Sequence, residues 1–203
     1  MKLINYLSII LLLLNFSAIG QTDTTQTTKK QFPLRKLSIE PAIGINPMPM
    51  SDIVVSNLVQ WNVKKHFNVV SRSAMTFNTA FARNFNYVHT DYSYSLSQTI
   101  GIGTSFYLKR SSHTFSLMAG VKYDATKETL NNPAFEKISV ASSTLSPDLG
   151  LMYNLKWGKK KYFFSYRMYI PLYPYPFKNF DINSIDGNLA NISLEFGVGI
   201  RLK

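Results

Sequence analysis

The sequence predicts an all-β fold, an eight-stranded antiparallel up-and-down transmembrane β-barrel, and three observations predict it. Eight segments alternate apolar and polar side chains with a period of two. The connections between them run short and long in turn. The polar face is mainly Ser, Thr, Gly and Asn, not the Lys and Glu that would crowd a wetted surface.

In chain order, Leu37, Ile39, Pro41, Ile43 and Ile45 face away from Ser38, Glu40, Gly44 and Asn46. Two weaker segments follow, Ile53 to Val63 with Val55, Val59 and Trp61 on one face, and Phe67 to Phe81 with Val69, Met75 and Phe77 on one face. The clearest runs from Asp91 to Leu108. Its even positions are Tyr92, Tyr94, Leu96, Gln98, Ile100, Ile102, Thr104, Phe106 and Leu108, against odd positions that are largely Ser, Thr and Gly. The same alternation returns at Phe115, Leu117, Ala119, Val121 and Tyr123, and again at Leu149, Leu151, Tyr153, Leu155 and Trp157. Tyr162, Phe164, Tyr166, Met168, Ile170 and Leu172 make the seventh apolar face. Ile192, Leu194, Phe196, Val198, Ile200 and Leu202 make the eighth.

Residues 64–66, 109–112 and 158–160 read as tight turns, whereas 47–52, 82–90, 126–145 and 174–188 are mostly longer links. Short turns on one side and longer loops on the other are the pattern of an up-and-down barrel, and an even strand number puts both termini on the short-turn side.

Composition sets the environment. Charged residues make up 16% of the 203-residue chain, against about 25% in an ordinary soluble domain, while aromatics reach 14%. The net charge of +11 does not point to nucleic acid, because the basic residues sit in short separate clusters and not in one stripe with stacking aromatics. There is no cysteine, so disulfides, thiolate metal sites and a lipid-modified N-terminal cysteine are excluded.

The N-terminus has the form of a secretory signal peptide over residues 1–20. Lys2 is the positive end, Leu7 to Leu14 the apolar run, and Ala18-Ile19-Gly20 the small-residue cleavage site before Gln21. The run is shorter than the roughly 20 residues of a spanning helix. Residues 21–35 are mostly Thr, Gln and Lys and read as a flexible periplasmic tail, leaving 36–203 as one barrel domain.

Alternation alone does not say which face is outside, and the aromatics decide it. Trp61, Phe67, Phe106, Phe115, Trp157 and Tyr162 lie beside the short turns. Phe77, Phe81, Tyr92, Tyr94 and Tyr123 lie towards the long loops. They form two candidate girdles at the two membrane interfaces, with aliphatic side chains between them. Aromatic filling of a soluble sandwich core is the bland alternative.

In these features, and in the closing run Glu195-Phe196-Gly197-Val198-Gly199-Ile200-Arg201-Leu202, the chain resembles the small outer-membrane β-barrel family, the eight-stranded OmpA- and OmpX-like barrels. The run is similar to that family's C-terminal assembly signal through Glu195, Gly197, Ile200 and Leu202, with Lys203 in place of a terminal aromatic. The resemblance covers roughly residues 36–203 and implies a Gram-negative, Bacteroidota-like outer membrane. It also implies contact with outer-membrane lipids, insertion by the barrel-insertion machinery, and another envelope protein as a candidate partner.

Eight strands enclose a bore that side chains fill. Strand parity puts Glu40, Arg72, Arg167 and Glu195 inside it, with Lys122 and Asp148 nearer the long-loop mouth. Mixed signs there can pair, which predicts a salt-bridged plug in which Arg72, Lys122 and Arg167 face Glu40, Asp148 and Glu195. The alternative use of the same residues is a gated ion path. Chemistry beyond this is thin. His89-Thr90-Asp91 with Ser93 lies at a loop rim but fits no nucleophile-and-base spacing, and a loop His beside Asp is more often simply solvated. His66 and His113 sit in or beside turns without metal-ligand spacing. No enzyme, cofactor or metal site is expected. Two functional classes remain: a structural or partner-binding envelope barrel, including an accessory subunit of a larger transport or secretion assembly, and a narrow channel or transporter for small solutes or ions.

Overall fold

The computed structural model describes residues 36–46, 52–77, 88–130, 138–158, 161–173 and 192–202. They form eight strands: β1 Leu37–Asn46, β2 Asp52–Asn62, β3 Phe67–Phe77, β4 Val88–Tyr107, β5 Ser111–Leu130, β6 Ile138–Trp157, β7 Tyr162–Tyr173 and β8 Ser193–Leu202. Each pairs antiparallel with the next, and β8 returns to pair with β1, from Leu37 opposite Leu202 to Ile45 opposite Leu194. Closure removes the free edges along the seam, so backbone N–H and C=O groups there find partners within the chain. The boundaries expected at 20 and 35 lie outside the described residues.

The short connections fold as the turn chemistry demands. Val63 and Lys64 N–H both donate to the Phe67 carbonyl, at 3.1 and 3.0 Å. Lys109 and Arg110 alone reverse the chain between β4 and β5, with Leu108 N–H donating to the Ser111 carbonyl at 2.8 Å. The turn expected over 109–112 is therefore tighter, and Ser111 and Ser112 already belong to β5. Between β6 and β7 the chain needs a φ of 129° at Gly158, a conformation that side chains with a Cβ rarely adopt.

The loop expected over 126–145 is not one. β5 and β6 stay paired from Thr126 opposite Ser142 to Leu130 opposite Ile138, and β4 begins at Val88 inside the link expected over 82–90. β4, β5 and β6 each run to 20 residues, about twice the 9 to 11 that cross a bilayer. Their upper halves therefore continue past the aromatic ring at Tyr94 and Tyr123. There Ser, Thr, Ala and Lys interrupt the alternation, with only scattered apolar residues such as Ile138 and Val140, and the strand signal weakens in the sequence. A register shift between Thr90 and Tyr92 breaks the period further.

Inside the barrel, Leu58, Val70, Met118, Met152 and Tyr169 form an apolar layer. The wide rings of Tyr169 and Phe163 fit because glycine faces them. A Cβ on Gly150 would stand 2.4 Å from Tyr169 Cζ, and one on Gly199 2.1 Å from Phe163 Cζ. Gly199→Val should force Phe163 aside and lower stability by about 1 to 3 kcal/mol, as overpacking of a filled interior does. Urea unfolding of the lipid-reconstituted protein measures this, and an unchanged midpoint would show that the ring moves freely.

Candidate functional site

The bore is the candidate site, and its centre is Glu195 on β8. Arg72 Nη2 from β3 donates to its Oε1 at 2.5 Å, and Arg167 Nη1 from β7 donates to its Oε2 at 2.8 Å. Ser193 donates to Oε1 at 2.7 Å, and Ser56 donates to Oε2. Arg167 also donates to Ser56 Oγ at 2.8 Å and, through Nη2, to the Glu40 carbonyl at 3.1 Å. Arg72, Arg167 and Glu195 are all at most 3% exposed. A carboxylate this deeply buried is tolerable because its oxygens receive charge-assisted donors.

A second cluster lies nearer the short turns. Lys156 forms an ion pair with Glu40 Oε1 and donates to Ser38 Oγ at 2.8 Å, while Asn154 donates to Glu40 Oε2 at 2.9 Å. Lys156 lies on the polar face of its strand in the sequence, but its nearness to a turn gave no sign that the side chain is held inside. Glu40 thus takes Lys156, and Arg72 takes Glu195.

Lys122 Nζ lies 3.2 Å from Asp124, two positions along the same face of β5. Asp148 accepts from the Tyr169 hydroxyl at 2.5 Å, and the Tyr169 ring lies 4.5 Å below the Arg72 guanidinium carbon. Tyr169 alternates with the apolar face of β7 and is buried in the bore. It couples Asp148 to the central cluster through one side chain. Below these layers Gln60, Asn68, Ser105 and Thr114 form a neutral network, with Asn68 donating to Ser105 at 2.7 Å and Ser105 2.8 Å from Thr114. At the short-turn end, the Arg201 guanidinium carbon lies 4.4 Å from the Phe163 ring centre, with Lys156 Nζ at 5.2 Å.

The outer surface is the reverse of the bore. Exposed residues include Ile43, Val55, Ile100, Ile102, Leu117, Val121, Leu151 and Val198, together with Phe164 at 68% and Phe196 at 62%. No aqueous surface of a monomer sustains an apolar belt around its whole circumference, and hydrocarbon does. Trp61, Phe67, Phe106, Phe115, Trp157 and Tyr162 are exposed at the short-turn end, with Phe106 and Phe115 in edge contact at 6.3 Å. At the other end Phe77 pairs in register with Tyr94, and ring centres of Tyr92 and Tyr94 are 6.1 Å apart and those of Tyr94 and Tyr123 6.4 Å. Phe81 lies outside the described residues. Of the closing run, Glu195 points into the bore, Gly197 lets the β8 backbone approach Pro41 and Ala42 of β1, and Ile200 and Leu202 pair with Ile39 and Leu37.

At the long-loop mouth, Asp91 accepts from the Thr129 hydroxyl at 3.0 Å and has Lys127 at 3.5 Å and His89 at 3.9 Å. The Thr129 hydrogen bond is the largest influence holding its carboxyl below the usual range. His89 pairs in register with Thr129 and Ser93 with Thr126, so the histidine and the serine take opposite faces of the sheet. His66 contacts the Ser105 carbonyl at 2.8 Å, and His113 lies 2.8 Å from the Tyr153 hydroxyl. Among the described residues, no cluster of His, Asp or Glu could hold a metal ion.

No family model matches the chain, and no curated protein does. Similar solved structures are Ail, the attachment invasion locus protein of Yersinia pestis in complex with the heparin analogue sucrose octasulfate (11% identity, TM-score 0.45, 82% of this chain and 96% of that one), the N-terminal β-barrel domain of Pseudomonas aeruginosa OprF (9%, 0.43, 82% and 97%), and Neisserial surface protein A (10%, 0.45, 82% and 94%). On its own geometry, a closed eight-stranded sheet with an apolar exterior and a charged interior, the chain is a transmembrane β-barrel.

The network makes specific couplings. Arg72→Ala and Glu195→Gln should each destabilise the barrel by about 3 to 5 kcal/mol, because each leaves a buried partner uncompensated. The double variant should lose less than their sum, whereas Arg72→Ala with Glu40→Gln should come nearer to additivity. Urea titration in detergent measures both cycles, and additive losses for Arg72 and Glu195 would contradict the pairing.

Proposed function

We propose that the protein is an exported outer-membrane barrel with a closed bore, acting as a structural or partner-binding envelope protein, including as an accessory subunit of a larger transport or secretion assembly. The observation that carries this reading is the filling of the bore. Arg72, Glu195 and Arg167 bridge it, Leu58, Val70, Met118 and Met152 pack inside it, and Lys156 with Glu40 bridges it again nearer the short turns. A hydrated ion needs a continuous wet path, and a bore filled by mutually paired charges and buried apolar side chains denies one.

In this reading residues 1–20 are a cleaved signal peptide and 21–35 a periplasmic tail. The barrel-insertion machinery reads the closing run, and the basic short turns at residues 64–66 and 109–110 face anionic lipid headgroups on the periplasmic side. The upper halves of β4, β5 and β6 then stand outside the cell as a sheet of Ser, Thr and Lys with the exposed apolar Ile138, Val140 and Leu145 among them, a surface on which an envelope or external partner can act.

Planar-bilayer recording tests the closed bore. The unmodified protein should give negligible conductance, and Arg167→Ala, which removes the central bridge, should give measurable openings. A large stable conductance from the unmodified barrel would replace this reading with a channel. Export and orientation have their own test. The exported protein should have an intact mass beginning at Gln21, and Ser139→Cys should label with an impermeant thiol reagent on whole cells while Arg110→Cys should not. Labelling in the opposite sense would invert the barrel.

A further inference from the structure

The lipid-facing surface departs from its apolar pattern at one height. The register places Pro41 opposite Asn57, Asn57 opposite Ser73 and Ser73 opposite Gln98, with Ser71 one outward position along β3. These residues share the parity of Val55, Val59, Val69, Met75, Leu96 and Ile100, so they belong to the outer face. Asn57, Ser73 and Gln98 are exposed and Ser71 is half-buried.

Their depth is fixed by the same register. Asn57 lies midway between Trp61 at the short-turn girdle and Ile53, which pairs with Phe77 at the other girdle. Ser71 and Ser73 lie in the middle of β3 between Phe67 and Phe77, and Gln98 lies on β4 between Tyr94 and Phe106. The patch is therefore near the bilayer midplane, where unpaired amides are costly and polar groups are rare outside functional surfaces.

Part of the demand is met internally. Ser73 Oγ donates to Gln98 Oε1 at 2.5 Å, and Gln98 Nε2 donates to Ser71 Oγ at 2.9 Å. Gln98 keeps a second amide proton and a second lone pair, and the Asn57 carboxamide adds two protons and an acceptor oxygen. Lipid headgroups and water do not reach this depth, so the complementary surface must be protein.

We propose that this patch is a lateral self-association surface, on which a second copy of the chain docks with its own Asn57, Ser73 and Gln98. Three features favour a second copy. Every inserted copy has the same orientation and depth, so a two-fold axis along the bilayer normal brings patch to patch at one height without adjustment. Carboxamides are donor and acceptor at once, which makes the patch complementary to itself, and it carries no charge that would select an ionic partner. The exposed Ser73 within it and Ala119 beside it are small, which permits the close approach that membrane interfaces use. The proposal deepens the partner-binding reading and rests on it, because the patch meets lipid only if the apolar face does.

The chain has no cysteine, so single replacements report cleanly. Ser73→Cys in purified full-length protein, reconstituted in phosphatidylcholine vesicles at high lipid-to-protein ratio, should oxidise to a disulfide-linked dimer. Leu151→Cys, on the outer face of β6, should stay monomeric. Asn57→Leu with Gln98→Leu should weaken association on the order of tenfold or more in vesicle energy-transfer measurements. Heat-modifiable migration checks that the double variant is folded, and the cysteine pair stands without it. Equal oxidation at both positions, or at neither, overturns the proposal. So does undiminished association of the folded leucine variant, or preferential cross-linking of Ser73→Cys in native membranes to a different polypeptide. Bilayer conductance reads the bore alone: a monomeric but non-conducting barrel defeats only the interface, and a conducting one defeats only the closed-bore reading.

Discussion

The pairing of β1 with β8 is the constraint on which the rest depends. Hydrocarbon offers backbone groups no partners, so the sheet must close on itself. Closure at eight strands leaves a bore only wide enough for side chains. Because neighbouring residues on a strand point to opposite sides, the same stretch that presents Ile43, Val55 and Ile100 to lipid must present something else inward. Here that is Glu40, Ser56 and Thr99. The charged interior is thus a consequence of the apolar exterior, and its polarity then requires that its members satisfy one another.

They do so across the bore as well as along the sheet. Arg167 reaches Glu195 from the neighbouring strand β7, whereas Glu195 also receives from β2 and β3 and Glu40 from β6, so the polar network joins strands that share no ladder. β4 and β5 contribute small residues and glycines at these levels, including Thr99, Gly101, Ser116 and Gly120, leaving room for the arginines reaching from other strands. Aromatic rings over glycines fill the remaining space, Tyr169 beside the central cluster and Phe163 at the short-turn end. Large and small side chains are thereby distributed so that one strand's bulk lies over its neighbour's glycine, as in Phe163 over Gly199.

The closed barrel and the inward or outward direction of each strand were legible in the sequence, because lipid on one side and a polar bore on the other impose a strict period of two. The upper halves of β5 and β6 were not, since only scattered apolar residues such as Ile138 and Val140 mark them. Parity identified Glu40, Arg72, Arg167 and Glu195 as inward. It could not give pairings, which depend on the stagger between strands far apart in the ring. That stagger brings Lys156 on β6 to Glu40 on β1, while Lys122 finds Asp124 two positions along its own strand. Tyr169 and Phe163 were hidden for a related reason: an aromatic residue on the polar parity looks like an exception until its facing glycine is known.

The bridges from Glu195 to β2 and β3, and from Glu40 to β6, have a mechanical effect as well as an energetic one. A cylinder of strands with a hollow centre resists stretching along its ladders but flattens easily into an oval, since flattening changes only the angles between neighbouring strands. Rigid spokes between non-adjacent strands remove that soft mode, because squeezing one diameter must shorten or break an ion pair. The circular cross-section is therefore held from within. Lateral pressure from the surrounding membrane, which falls on the exterior, is then resisted by the salt bridges inside as well as by the ladder hydrogen bonds of the wall.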